Sequence, residues 1–371
     1  MRVKKKILFF GTSRSIRNSR LQLLQKLKKK YDLIVYLRTK DTRTEKLLNH
    51  KKINLYSNTF SKNAFSSNFI FDIFFLIRLV LLEKPDIIFS FNTIPNILNL
   101  ILKIIFKRTI SIFLITGLGS FFNTEIKKVN FKFFMLTILV KNIINHSNFI
   151  IFQNKDDKVF FKKVNKNKKF CYLIVNGSGV DLQKFKCKNT VNNSTNILMI
   201  SRIIKEKGVN EFLNAANKIK SKYPYYVFTL IGNLENNKYL NNKIKNYQSR
   251  KIIKYLEFTE NIKSKIKKAS VVVLPTYYGE GVPRVLLESM SMYKPIITTK
   301  MPGCKETINN GVNGLFVKKK SSKDLANKIL LITSSKSKLK KMGYESHKIA
   351  KKKFDINTVT RQIEEYLDYN V

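Results

Sequence analysis

The sequence predicts an α/β chain of two doubly wound, parallel-sheet domains in tandem. Three observations predict it. Short apolar runs of strand length alternate with longer amphipathic segments along the whole chain. The alternation occurs twice, once on each side of the polar stretch 186–196 (KCKNTVNNSTN). The length, 371 residues, suits two domains of ordinary size. Runs that are apolar at every position are buried on both faces, and a parallel sheet gets that burial from helices on either side.

The elements follow in order. Residues 6–10 (KILFF) begin the first series, with further strand-like runs at 33–37, 86–90, 110–115, 149–153 and 171–175. Helical patterns lie between them at 18–30, 69–83, 94–106 and 131–147. The second series has strands at 196–200, 226–231, 271–275 and 295–299, and helices at 209–222, 239–248, 283–292 and 322–333. The stretch 186–196 has no apolar periodicity and is the expected linker. This gives expected domains of 1–188 and 189–353. Helix 94–106 carries Asn96, Asn99 and Lys103 as one narrow polar stripe and is otherwise apolar, so burial on most sides is expected. Segment 69–82 is broken only by Asp72 and Arg78, and in 131–144 Lys132 and Lys141 bracket eight apolar or small residues. These are core helices, or one of them rests its apolar face on a bilayer with Lys and Arg at the headgroups.

Composition narrows the function. Apolar residues make up 44% of the chain, which excludes disorder as the dominant state. Lys and Arg number 71 against 24 Asp and Glu, a net charge of +47. The excess is +27 over residues 1–190 and +20 over 191–371, so compositional drift is its main source rather than one dedicated patch. Three scattered cysteines make neither a disulfide framework nor a zinc cluster and fit a reducing cytoplasm. The first apolar run stops at Gly11 after four residues, too short for a secretory leader. The longest uncharged runs, 87–102 and 109–124, fall short of the roughly 20 residues of a membrane span.

Two motifs carry chemistry. At 271–288 a strand runs into the loop Tyr277-Tyr278-Gly279-Glu280-Gly281-Val282-Pro283 and then a helix, with Pro283 expected in its first turn. Glycines there let backbone N–H groups face an anion at the helix start. Glu280 and Glu288 can hydrogen-bond two hydroxyl-rich parts of one ligand, such as a sugar and a ribose. At 197–213 a strand ends at Ser201, Arg202 follows, and Lys207-Gly208 precedes a helix. Ligands of open α/β sheets bind at strand C-termini. Two cations there can hold a diphosphate and offset its charge as it leaves, although in so basic a chain they are also plain surface cations.

With SR–x4–KG at 201–208, E–x7–E at 280–288 and KPIITTKMPGCKETINNGVNGLFV at 294–317, the chain resembles family 4 glycosyltransferases of the retaining, metal-independent GT-B class. SFNTIPN (90–96) and TGLGSFF (116–122) resemble a bacterial subgroup that adds sugars to polyprenyl-diphosphate-linked glycans for capsule, O-antigen or protein glycosylation. The resemblance implies two Rossmann-like domains facing across a cleft, with a C-terminal helix (354–371) returning to the first. It implies that Arg202 and Lys207 bind the donor diphosphate and that Glu288 holds the ribose. Glu280 contacts the transferred sugar, aided by the backbone of Gly281, Val282 and Pro283. Gly11 lets the backbone approach the β-phosphate. Acceptor-side candidates are Asn92, Thr116, Gly117 and Gly119. It further implies a UDP-sugar donor, no cofactor and no metal. The implied partners are a lipid-linked glycan acceptor and an anionic membrane surface, at the cytoplasmic face of the cell membrane.

Departures are visible. The first turn is Gly-Thr-Ser-Arg-Ser rather than glycine-rich, and Glu257 stands where relatives end a strand in glycine. None of the three histidines (His50, His146, His347) falls in 90–96, where many relatives carry one. A retaining front-face transfer needs no side-chain base, because the leaving diphosphate oxygen serves. Other readings find less support. Gly117-x-Gly119 and Gly177-x-Gly179 each lack the third glycine of a dinucleotide fingerprint. No P-loop, D-x-D or nucleic-acid module is present. The alternatives within the fold are a transferase with a soluble or glycerolipid acceptor, or a sugar-nucleotide epimerase.

Overall fold

The computed structural model describes residues 4–38, 41–57, 68–119, 131–188, 195–235, 237–259 and 261–370. The chain divides into two compact units, with the C-terminal segment from Asn357 assigned to the first. In that unit the strands are β1 (Lys6–Gly11), β2 (Asp32–Leu37), β3 (Asn54–Ser57), β4 (Ile87–Phe91), β5 (Ile110–Ile115), β6 (Phe149–Phe152) and β7 (Tyr172–Ile174). They form one parallel sheet in the order β3-β2-β1-β4-β5-β6-β7. Its helices are α1 (Ser13–Ser15), α2 (Leu21–Lys30), α3 (Thr42–His50), α4 (Asn68–Glu83), α5 (Thr93–Ile105), α6 (Phe131–His146), α7 (Lys155–Val164) and, much later, α14 (Ile356–Asn370). A π turn, Ile16–Arg20, begins the stretch expected as one helix over 18–30.

The alternation of side chains along β1 shows why both faces are covered. Ile7 and Phe9 point into a core shared with α2, α3 and Val359, Ile363 and Leu367 of α14. Leu8 and Phe10 point into a core shared with Leu76, Leu79 and Val80 of α4 and Leu98 and Leu102 of α5. Every residue of β4 is buried, as a central strand between two helical layers requires.

The second unit holds β8 (Asn196–Ile200), β9 (Val227–Ile231), β10 (Lys254–Leu256), β11 (Val271–Leu274), β12 (Ile296–Thr298) and β13 (Gly314–Phe316). They are parallel, in the order β10-β9-β8-β11-β12-β13. Around them lie α8 (Val209–Lys220), α9 (Lys238–Ser249), α10 (Ile262–Lys268), α11 (Arg284–Ser291), α12 (Ser322–Thr333) and α13 (Lys336–Lys353).

Three expectations need correction. The units divide between Ser178 and Gly179, earlier than the polar stretch 186–196, of which 189–194 lie outside the described residues. The reason is packing: Val180 and Phe185 are buried in the second unit's core. Pro283 caps α11 from outside, with ψ 117°, instead of sitting in its first turn. The polar stripe of α5 faces inward. Asn96 and Asn99 are buried, with Asn96 donating to the Leu114 carbonyl at 3.2 Å and Asn99 to the Ile112 carbonyl at 3.1 Å. The two amides tie the helix to β4 and β5, a use of polar side chains that periodicity alone does not distinguish from a solvent stripe.

The docking of α14 is testable. Ile363 is 1% exposed in the first unit's core. Ile363→Ala should cost about 2–4 kcal/mol in urea unfolding. A cost under about 1 kcal/mol, the ordinary range for a surface change, would mean that the helix is not part of that core.

Candidate active site

The second unit's sheet reverses strand order between β8 and β11, which are hydrogen-bonded neighbours. Loops leaving their C-terminal ends therefore lie side by side, the place where open α/β sheets bind ligands. After β8 come Ser201, Arg202 and a single 3-10 turn, Lys205–Lys207, and Gly208 leads into α8. Gly208 adopts φ +78°, and a Cβ there would lie 2.3 Å from the Pro275 carbonyl oxygen, so no other residue fits. The Tyr277 N–H donates to the Glu206 carbonyl at 2.8 Å, and the Thr276 hydroxyl donates to the same oxygen at 3.0 Å. These bonds lock the two loops together.

The lock brings four side chains into one cluster. The Arg202 guanidinium lies 5.6 Å from the centre of the Tyr278 ring, and the Lys207 ammonium 5.1 Å from it. Lys207 is buried and forms an ion pair with Glu280. Arg202 is exposed beside it. Two cations share one aromatic ring, whose quadrupole offsets part of their mutual repulsion. Glu280 also bears on Cys304, whose thiol is pushed up to about 12, first by burial and then by that carboxylate. Of the three backbone contributors expected beside Glu280, Gly281 and Val282 have N–H groups to offer and Pro283 has none.

Glu288 stands in the second turn of α11, only 6% exposed. Arg284, one turn earlier, donates to its Oε1 at 2.7 Å. Burial raises the carboxyl's pKa, while the charges of Arg284 and Lys184 and the Arg284 hydrogen bond pull it back down. Arg284 and Tyr278 are the two members of the site that motif reasoning missed. The i, i+4 spacing of Arg284 to Glu288 was the available signal for the first.

The remaining candidates belong to the first unit. Gly11 ends β1, and a Cβ on it would meet the Phe91 ring at 2.1 Å, so packing alone already requires a glycine there. Asn92 follows β4 and caps α5 through its carbonyl, which accepts from the Asn96 N–H at 3.0 Å. Its side chain makes no cap. The Nδ2 donates to the Thr116 hydroxyl at 3.0 Å, and the buried Oδ1 has no hydrogen-bond partner. The backbone of Asn92 has φ 76° and ψ 159°, a region nearly confined to glycine. Asn92, Thr116 and Gly117 line a small cavity with Leu136, Val140 and Phe161. Gly117 and Gly119 have positive φ, 106° and 65°. Ser120 to Phe122 of the TGLGSFF segment lie outside the described residues.

Comparison with known proteins fixes the class. Residues 181–349 match the family model described as glycosyl transferases group 1. That segment is similar to group 1 glycosyltransferases, and with the relatives below it makes the chain a glycosyltransferase. This transferase is 28% identical over 340 residues to the N,N'-diacetylbacillosaminyl-diphospho-undecaprenol alpha-1,3-N-acetylgalactosaminyltransferase of Campylobacter jejuni, covering 86% of each chain. It is 26% identical to the capsular polysaccharide biosynthesis glycosyltransferase CapM of Staphylococcus aureus, covering 78% of this chain and 79% of that one. The structure of Anabaena Alr3699/HepE, solved in complex with UDP and glucose, superposes with a TM-score of 0.79 at 19% identity, over 98% of this chain and all of that one. Two parallel-sheet α/β units of this kind make the GT-B fold.

Two predictions follow from this geometry. Because the Glu288 pKa is raised in the folded protein, ionising it costs stability above that pKa, and the cost is relieved as pH falls toward the ordinary glutamate value. Arg284→Ala removes the hydrogen-bonded counter-charge. It should destabilise the transferase by about 1.5–3 kcal/mol at pH 7 and less at pH 5. Urea unfolding at the two pH values checks this, and an equal loss at both would detach Arg284 from Glu288 ionisation. Asn92→Gly should relieve backbone strain of about 1–3 kcal/mol and leave the melting temperature unchanged or higher. A fall of several degrees would show that the amide, and not the strain, dominates there.

Proposed function

We propose that this glycosyltransferase moves a sugar, with retention at the anomeric carbon, from a UDP-sugar to a polyprenyl-diphosphate-linked glycan. The gathering of Arg202 and Lys207 over Tyr278, beside Glu280, carries the reading. A leaving UDP develops charge on its β-phosphate oxygen, and two preorganised cations stabilise that charge most when the bond is most broken. Glu280 hydrogen-bonds hydroxyls of the transferred sugar, with the N–H groups of Gly281 and Val282 nearby. Glu288, held by Arg284, accepts from the ribose hydroxyls. The acceptor hydroxyl attacks the anomeric carbon from the face that the diphosphate leaves, and its proton passes to the departing β-phosphate oxygen. No metal or cofactor enters. The donor sugar is read as an N-acetylhexosamine from the likeness to the Campylobacter enzyme, whose name also specifies a diphospho-undecaprenol acceptor. Asn92 and Thr116 are placed on the acceptor side. An acceptor of that kind puts the enzyme on the cytoplasmic face of the cell membrane, in capsule, O-antigen or related glycan assembly.

The test is kinetic and stereochemical. Lys207→Ala should lower kcat about a hundredfold or more, equivalent to about 2–4 kcal/mol of transition-state stabilisation. Transfer should persist in excess EDTA and give an α-linked product from an α-linked donor by NMR. Near-normal turnover of Lys207→Ala, an absolute demand for Mn²⁺ or an inverted product would each refute the mechanism.

A further inference from the structure

Helices α4 and α5 are apolar outside as well as inside, with Leu76, Leu79 and Val80 of α4 and Leu98 and Leu102 of α5 in the core. Of the two acids of α4, Asp72 is buried, where it accepts from the Tyr36 hydroxyl at 2.6 Å and the Arg38 Nε at 2.5 Å, and Glu83 closes the helix, paired with Lys6. The amides of α5 also face the sheet. What these helices turn outward is apolar: Ile70, Phe71, Phe74, Leu81 and Leu82 on α4, and Ile104 and Ile105 at the end of α5. Helix α6 does the same with Phe131, Phe133, Phe134, Met135 and Ile138. These side chains are between 38% and 72% exposed. A helix that packs on one side and meets water on the other carries polar residues on its outer face. The three helices are neighbours in one layer, with α4 against α5 and α5 against α6, so the exposed residues belong to one face of the first unit. An apolar face of this size marks an interaction surface.

The charges on this face select its occupant. Arg78 lies within the α4 stripe, one turn after Phe74 and one turn before Leu82, and is exposed. Lys141 lies one turn after Ile138 on α6, and Lys84, Lys107 and Arg108 follow the ends of α4 and α5, all exposed. Between residues 68 and 119 the acids are Asp72, which is buried; Glu83, which is paired with Lys6; and Asp86, which accepts from the Lys6 N–H. A second copy docking here would set these cations against their own equivalents. A bilayer with anionic headgroups offers phosphates to the cations and acyl chains to the phenylalanines, with the long Arg and Lys stems spanning the two zones. We infer that the outer face of α4, α5 and α6 is the surface by which this transferase docks on an anionic membrane. The inference deepens the lipid-linked acceptor proposed above, because it says which face of the molecule meets the lipid.

The experiment is co-sedimentation of the full chain with phosphatidylglycerol-containing vesicles. Phe74→Glu/Leu82→Glu tests α4 and Phe134→Glu tests α6, with circular dichroism to verify folding. Tyr225→Glu/Tyr239→Glu, at exposed tyrosines of the second unit, is the control with the same charge change as the α4 pair. Wild type should bind, and high salt should release it only in part. The α4 pair should lower the vesicle partition coefficient by at least about tenfold, and the control by less than about twofold. Equal losses in the α4 pair and the control would assign binding to overall charge and overturn the proposal. So would unchanged binding of the α4 pair, or a wild-type dimer by light scattering that the α4 pair splits. Transfer assays separate this from the reading it rests on. If the α4 pair loses vesicle binding but no diphosphate-linked acceptor is ever glycosylated by wild type, the surface stands and the acceptor assignment falls. If such acceptors are glycosylated while binding ignores the face, the surface alone falls.

Discussion

The parallel pairing of β8 with β11 is the constraint on which the cluster around Tyr278 depends. Val271 pairs with Ile197 and Val272 with Leu198, and this register brings two loops far apart in sequence to one edge of the sheet. Loop locking then follows from the two bonds to the Glu206 carbonyl. Only with both in place do Arg202 and Lys207 meet the same tyrosine ring. The first unit repeats the arrangement. Its order reverses between β1 and β4, and Gly11 and Asn92 stand at the ends of those two strands. Each sheet thus has candidate site residues where its strand order turns back.

The central strands were legible because burial on both faces leaves few polar positions. KILFF, DIIFS and VVVLP read as strands without ambiguity. Of the four edge strands only β7 was legible. β3 (NLYS), β10 (KYL) and β13 (GLF) are three or four residues long, and no position of β3 or β10 is buried. Helices α3, α7, α10 and α13 escaped for a related reason. Lysines crowd sequences such as IKSKIKK, so the buried stripe shrinks to a single Ile266 in α10. A compositional bias toward lysine blurs amphipathic contrast without weakening the helix itself.

The site divides along similar lines. Residues whose spacing is fixed by a loop (Arg202, Lys207, Glu280, Glu288) could be picked out from the text. Residues that act by holding another could not. Tyr278 looked like one more aromatic, and Arg284 one more cation among 71 Lys and Arg. The α5 amides carried a third ambiguity. Asn96 and Asn99 repeat at helical spacing in either orientation, and only the partners on β4 and β5 decide which way the stripe faces.

The chain leaves the first unit after Ser178 and returns to it at Asn357. The two crossing points touch within the second unit. The Val180 N–H donates to the Phe354 carbonyl at 2.7 Å, the Ile356 N–H donates to the Val180 carbonyl at 3.1 Å, and Gly179, at φ +72°, passes too close to Ile356 for a Cβ. This threading sets an order of synthesis. On the ribosome the first sheet emerges early, yet Val359, Ile363 and Leu367, which seal one of its faces, are made only after the second unit. The second unit has all its own strands in hand before that. The N-terminal half therefore waits with an open apolar face while the later half folds, which makes it the part of the nascent chain most in need of a chaperone.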